Sequence, residues 1–280
     1  MTILSGVLAL AALAAPPEPV AFAEALAAGD AHYARRAEGA LGGTALPFHA
    51  EGAIVEYRRA LSLDPGSYDA RLRLLRAYFF RGGFCSEMDP DEKKRLFDEA
   101  KEVAEETVRR LDTEVKRKKG RVQVDEVSST APVARAYAWA AISWGQWAVF
   151  HKLNAVFSGA PGRIRDLAEA VIAIDPATEQ AAGYLILGRL HAETPRIPFA
   201  TRWVSRDKGL ASLRKGLEVA PDTPQILYFL GDALLRLQDS KKDEARALLE
   251  RCAALPPRPE YLVEDAHYAE KARARLADLR

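Results

Sequence analysis

Four times along this chain a helical stretch ends in the same way, at a short apolar or acidic step followed by proline. The sites are Leu63-Asp64-Pro65, Ile174-Asp175-Pro176, Val219-Ala220-Pro221 and Leu255-Pro256-Pro257. Proline has no amide hydrogen and its ring collides with the preceding turn, so each site closes a helix. Between them the apolar residues recur with helical period. From Leu96 they fall at Leu96, Phe97, Ala100, Val103, Ala104, Thr107, Val108 and Leu111, a stripe of period 3.6. Asp89-Pro90-Asp91-Glu92 opens that stretch with an acidic cap and a proline in the first turn. Nothing alternates with period two over the length of a strand, so a sheet is not expected.

Distances counted back from the prolines add a second regularity. Ala53, Tyr57 and Ala60 lie 12, 8 and 5 residues before Pro65, and Ala245, Leu249 and Cys252 stand in the same relation to Pro257. Small residues at such spacing let helices approach closely while the larger one fills the groove beside them. This is the pattern of the second helix of a tetratricopeptide repeat, and Leu74, Tyr78 and the Leu230-Gly231 pair suit the first helix. The period is loose: Pro176 and Pro221 are 45 residues apart, Pro221 and Pro257 36, and Pro65 and Pro176 111. The expected fold is all-α, a tetratricopeptide-repeat-like superhelix of five degenerate helix pairs beginning near Glu24, Ser67, Pro132, Ala177 and Thr223. A charged capping helix from Glu264 to Leu279 closes it. The competing reading is an unrelated helical bundle with coincidental prolines.

The N-terminus is of another kind. Ile3 to Ala15 is an uncharged apolar run of 13 residues, short of the roughly 20 that span a bilayer but suited to a signal peptide. Pro16, Pro17 and Pro19 follow, and Ala21-Phe22-Ala23 offers a small-x-small cleavage site, although no Lys or Arg precedes the run. Residues 1–23 are expected to be a cleavable export signal and 24–280 a single repeat domain, so the chain is read as an exported protein. The alternative is an apolar N-terminal core helix. The remaining chain has no stretch long and apolar enough for a transmembrane segment.

Composition narrows function by exclusion. Forty basic residues against thirty-nine acidic ones give a net charge of +1, with no broad electrostatic footprint for nucleic acid. Two cysteines, Cys85 and Cys252, make no disulfide framework, and buried free thiols are favoured over a bridge between them. The five histidines form no His-x-x-x-His pair, and Gly159-Ala160-Pro161-Gly162-Arg163 lacks the spacing of a phosphate loop. His191-Ala192-Glu193 is best taken as a structural pair. No catalytic set, metal site or cofactor is expected, so the chain is read as a non-enzyme. The run Lys116 to Arg121 is taken as a solvated insertion.

Two features remain. The helix from Val133 to Leu153 mixes Tyr137, Trp139, Trp144 and Trp147 with Ala138, Ala140, Ala141, Gly145 and Ala148. Bulky rings among very small residues serve either tight helix packing or an aromatic-walled cavity. Lys152, Arg163, Arg165, Arg189, Arg196, Arg202, Arg206 and Lys208 then follow with few acids nearby, which fits either structural pairing or a ligand carboxylate. The candidate ligand-binding residues are Tyr137, Trp144, Trp147, Lys152, Arg163, Arg165, Arg189, Arg196, Trp203 and Arg206. A single asparagine, Asn154, argues against the asparagine clamp for peptide C-termini.

The central block also resembles a family. The segments are His151-Lys152-Leu153 through Ser158-Gly159, Gly162-Arg163-Ile164-Arg165-Asp166-Leu167, and Leu187-Gly188-Arg189-Leu190-His191-Ala192-Glu193. Pro195-Arg196-Ile197-Pro198-Phe199, Trp203-Val204-Ser205-Arg206 and Pro259-Glu260-Tyr261-Leu262-Val263-Glu264-Asp265 complete the set. Together they resemble the T component (TatT) of TRAP-associated transport systems, a periplasmic tetratricopeptide-repeat protein. The resemblance implies a periplasmic TRAP solute-binding protein as partner, homo-oligomers, and a cavity or tunnel for a small organic or hydrophobic ligand. Family members are commonly lipoproteins, whereas this chain has no lipobox cysteine. The alternative function is a repeat scaffold for protein–protein interaction in an envelope or secretion assembly.

Overall fold

The computed structural model describes residues 18–86, 88–114, 117–118, 121–122 and 130–279. Its helices are α1 (Glu18–Ala34), α2 (Pro47–Leu63), α3 (Tyr68–Phe84), α4 (Pro90–Glu114), α5 (Thr130–Phe150), α6 (Lys152–Phe157), α7 (Ala160–Ile174), α8 (Thr178–Glu193), α9 (Arg206–Val219), α10 (Pro224–Leu237), α11 (Lys242–Ala254) and α12 (Leu262–Ala277). They pack as five antiparallel pairs, α1 with α2, α3 with α4, α5 with α7, α8 with α9 and α10 with α11, and α12 lies on the last pair. The five pairs and the cap expected from the proline spacing are present. Ser67 and Thr223 are the N-cap residues of α3 and α10, and Ala177 that of α8.

Local chemistry accounts for the helix ends. Asp89 Oδ1 accepts from the Asp91 amide at 2.9 Å and Ser67 Oγ from the Ala70 amide at 3.1 Å, each satisfying an otherwise orphaned donor of the first turn. The repeat positions are buried as their spacing requires: Ala53, Tyr57 and Ala60 in α2, Leu74 and Tyr78 in α3, and Ala245, Leu249 and Cys252 in α11. A Cβ on Gly188 would lie 2.4 Å from Leu213 Cγ, so α8 and α9 meet at a distance that only glycine allows.

Three details depart from expectation. Residues 117–118 and 121–122, within and just beyond the basic run, form a two-stranded antiparallel ladder, β1 (Arg117–Lys118) with β2 (Arg121–Val122); the remainder of that insertion lies outside the described residues. The aromatic helix ends at Phe150 and not at Leu153, because the chain breaks at His151 before α6. Glu179, Gln180 and Ala181 all have positive φ (48°, 60° and 62°), one left-handed turn at the start of α8. The small-x-small triplet Ala21-Phe22-Ala23 lies within α1, whose described part begins at Glu18.

First helices also touch one another, α3 with α5, α5 with α8 and α10 with α12, which puts them on the inside of the curve. Across that inside the two ends of the array meet. Arg36, just after α1, reaches Glu264 of α12 at 3.3 Å and also donates to the Glu260 carbonyl. Gly43 approaches α12 so closely that a Cβ there would lie 2.3 Å from His267 Cα, and its amide donates to Glu270 at 2.9 Å. Phe84 of α3 stands edge-on to His267 at 5.2 Å. One apolar cluster accordingly joins Ala45, Phe80 and Phe84 from the first two pairs to Leu227, Tyr268 and Ala272 from the end of the chain. The superhelix closes on itself.

Candidate functional site

The residues that sequence reasoning placed in one ligand site fall into separate groups. Tyr137, Trp144 and Trp147 are buried on the side of α5 that faces the second helices α4 and α7. Tyr137 donates to Asp112 at 3.2 Å and the Trp147 indole to Asp98 at 2.9 Å. Trp144 is only 3% exposed and stands edge-on to Trp147 at 5.5 Å. Lys101 Nζ lies 4.5 Å from the Trp144 ring centre and 5.0 Å from that of Trp147, and Arg163 covers Trp144 at 5.4 Å. His151 stacks on Trp147 at 4.7 Å, with Nε2 2.7 Å from Asp98 Oδ1 but off the line of a hydrogen bond. Cations over indole faces are favourable, and here they hold α4, α5 and α7 together.

A second group lies at the end of α8. Arg165 pairs with Asp166 at 2.7 Å and covers Trp203 at 4.5 Å. His191 stands edge-on to Trp203 at 5.5 Å and accepts the Ser205 amide at Nδ1, 3.1 Å. Burial lowers the His191 pKa, with Lys208 and Arg165 adding to the effect. His191 and Glu193 do not pair with each other, as the sequence had suggested, because Glu193 is taken by Arg189 at 3.0 and 3.1 Å. Arg189 also covers Phe229 at 4.1 Å. Arg196 donates to the Arg202 carbonyl at 3.1 Å, and Lys152 and Arg206 are exposed. Cys252 is buried and Cys85 half-buried, both as free thiols, and burial pushes each pKa up to about 12.

The inner face of the closed array carries a different set. Tyr33 at the end of α1, Arg76 in α3 and Trp139 in α5 form a ladder, with Arg76 Cζ 5.2 Å from the Tyr33 ring and 5.9 Å from that of Trp139. Arg36 also lies over the Tyr33 ring, at 4.5 Å. Arg135 binds Glu179 at 3.1 Å, and Arg258 holds Asp265 through two bonds of 2.7 Å and also reaches Gln180. The left-handed turn at the start of α8 thus presents Glu179 and Gln180 to cations of two other elements.

Among the described residues Arg76 has no carboxylate within ion-pair distance, and its Nε is buried without a hydrogen-bond partner. The Trp139 indole N–H, the Arg36 Nε and Glu264 Oε2 are likewise buried and unpartnered. Such groups cost free energy unless something satisfies them. Desolvation raises the Glu264 pKa, opposed by Arg36, and burial raises that of Tyr33, opposed by Arg76 and Arg36. Arg76 and the Trp139 indole are donors whose chemistry suits an oxygen acceptor such as a carboxylate, while Arg36 is already paired with Glu264. Sequence reasoning missed this group because Tyr33, Arg76, Trp139 and Glu264 belong to four distant segments; only the placement of Trp139 on a rim of alanines hinted at close approach.

Among the described residues, no helix is long and apolar enough to cross a membrane and no cluster of three or more His, Cys, Asp or Glu side chains is arranged to hold a metal. No protein-family model and no curated protein matches the chain. Solved structures do. The crystal structure of MamA protein aligns with 92% of this chain and 96% of its own at 17% identity and a TM-score of 0.46. The crystal structure of TTC0263, a thermophilic TPR protein in Thermus thermophilus, covers 92% of this chain and 97% of its own, with 19% identity and a TM-score of 0.56. That likeness is one of fold: the chain is a tetratricopeptide-type helical superhelix.

Proposed function

We propose that this protein is a non-enzymatic accessory of solute transport in the periplasm. It acts as the T component of a TRAP-type system, bound to a solute-binding protein and holding a small organic carboxylate on its inner face. The observation that carries the ligand reading is Arg76, set between Tyr33 and Trp139 with no carboxylate within ion-pair distance among the described residues and a buried, unpartnered Nε. The transport partner rests on the resemblance of the central block, from His151 to Arg206. Residues 1–23 serve as the export signal. Cleavage after Ala23 leaves α1 from Glu24 onward, with Ala25 still buried.

Titration with a panel of aliphatic and aromatic carboxylates, read by tryptophan fluorescence, tests the ligand. Arg76→Gln is expected to weaken binding by about tenfold to a hundredfold, the worth of a charge-assisted bond. Equal binding by the variant and the parent removes Arg76 from the site. Pull-down from a periplasmic extract should recover a TRAP-type solute-binding protein, and recovery of unrelated partners alone overturns the transport reading.

A second reading is a scaffold for protein segments in an envelope assembly. The dense packing of Trp144 and Trp147 between α4 and α7 favours it, as does the tetratricopeptide-type fold. The charged inner face weighs against it, since a scaffold groove for apolar segments needs no Arg36, Arg76 or Arg258.

A further inference from the structure

The five pairs turn from their first to their second helices through residues 35–46, 85–89, 151–159, 194–205 and 238–241. Among the described residues eleven large apolar side chains are exposed, and all but Val20, Val55 and Leu262 lie in or beside these turns. The first turn carries Leu41 (85% exposed), Leu46 and Phe48. The third carries Val149 near the end of α5, and Leu153 (77%) and Phe157 (87%) four residues apart on one side of α6. The fourth carries Ile197 and the fully exposed Phe199. Burial of apolar surface drives folding, so such a concentration at turns, where polar residues are usual, marks a surface with another use.

The fourth turn is built to present its apolar tip. Thr201, itself buried, donates to the Pro195 carbonyl at 2.5 Å and accepts the Ile197 amide at 2.8 Å, and the Thr201 amide returns to the Ile197 carbonyl at 3.0 Å. Arg196 closes the loop on the Arg202 carbonyl at 3.1 Å. Phe199 stands at the tip with φ of 66°, a backbone state that an aromatic residue rarely adopts.

Charge identifies the occupant. Segments 151–163 and 194–208 hold Lys152, Arg163, Arg196, Arg202, Arg206 and Lys208 against one carboxylate, Asp207. None of the six makes a carboxylate ion pair among the described residues. The third and fourth turns, linked where Arg165 covers Trp203, present two separate tips of two or three apolar side chains with these cations around them, and do not form a groove for a helix or strand. They suit a surface that accepts insertion without shape complementarity and is negatively charged. We infer that the edge formed by the third and fourth turns docks the protein on an anionic phospholipid bilayer, with Phe157, Leu153 and Phe199 entering the headgroup region and the surrounding Lys and Arg contacting lipid phosphates.

Co-sedimentation of the full chain with vesicles of phosphatidylcholine, alone or with about one part in three phosphatidylglycerol, tests the inference. Binding should favour the phosphatidylglycerol vesicles and weaken with salt. Phe157→Ser with Phe199→Ser, and separately Lys152→Glu with Arg202→Glu, should each reduce it by about tenfold. All four side chains are exposed, so unchanged circular-dichroism melting is expected. The apolar run of residues 3–15 is common to parent and variants and cancels in the comparison. Equal binding to both vesicle types, or variants that bind like the parent, overturns the inference. So does a parent dimer that the Phe157→Ser, Phe199→Ser variant dissociates with no change in vesicle binding, which assigns the edge to a second copy of the chain.

Discussion

At the scale of single residues, the buried polar groups carry the informative physics. His191 is buried against Trp203 and spends Nδ1 on the Ser205 amide, so burial, Lys208 and Arg165 all hold its pKa below the ordinary imidazole value. His267 is shifted the same way, by burial and Lys271. A base whose folded pKa is depressed stays neutral in the folded state while the unfolded chain takes up the proton. Its contribution is therefore complete above about pH 6.5 and is lost as the pH falls from there toward the folded pKa. The melting temperature should accordingly fall between pH 7.5 and 5.5, and His191→Asn should flatten that slope while lowering stability at neutral pH. A slope unchanged in His191→Asn would show that His267 or the carboxylates set the pH dependence.

At the scale of elements, glycine and left-handed backbone decide how closely helices sit. Gly188→Val places branched carbons against Leu213, where even a Cβ lies 2.4 Å from Cγ. A loss of about 2–3 kcal/mol in urea unfolding is expected, as for an overpacked core. Ala181→Gly tests the turn at the start of α8. In a right-handed helix that change costs about 1 kcal/mol. At φ of 62° it instead relieves about 1–2 kcal/mol of left-handed strain, against about 0.8 kcal/mol for the lost buried methyl. The variant should therefore be neutral or slightly more stable than the parent.

The elements themselves were largely legible in the sequence. The prolines end α2, α7, α9 and α11 within two residues, Asp89 and Ser67 cap α4 and α3, and the buried Ala, Tyr, Leu and Cys positions follow from their spacing. These signals are local, set by the steric and hydrogen-bonding demands of a few neighbouring residues. The left-handed turn at 179–181 was not legible, since Glu-Gln-Ala carries no glycine to announce positive φ. It is sustained by long-range partners, Arg135 for Glu179 and Arg258 for Gln180. The same holds for the candidate site. The aromatic helix α5 was found from its composition, yet which of its rings faces outward helices and which the inner face is set by rotation about the helix axis, and that depends on neighbours. Trp144 and Trp147 turned toward α4 and α7, and Trp139 toward Arg76.

At the scale of the whole molecule, closure of the array is the property that the parts do not announce. It rests on Arg36 with Glu264, Gly43 against His267 and Phe84 with the rings of α12, contacts made between residues near the two ends of the described chain. Gly43→Ala puts a carbon 2.3 Å from the His267 backbone, which side-chain rearrangement does not relieve. Loss of about 1–3 kcal/mol is expected, together with faster proteolysis within α12 and a larger radius in small-angle scattering. Destabilisation without either sign of opening would mean that the ends are held chiefly by the apolar cluster around Phe84 and Tyr268.

The sequence by itself determined the helices, their pairing into five units and the capping helix, because each depends on contacts within a few tens of residues. The tertiary structure alone decided that the ends meet, that Arg76 has no carboxylate within ion-pair distance among the described residues, and that exposed apolar side chains gather at the turns. Those outcomes depend on the small rotation between successive pairs, accumulated over the whole array. Each rotation arises from packing at many interfaces at once, so no short segment encodes it.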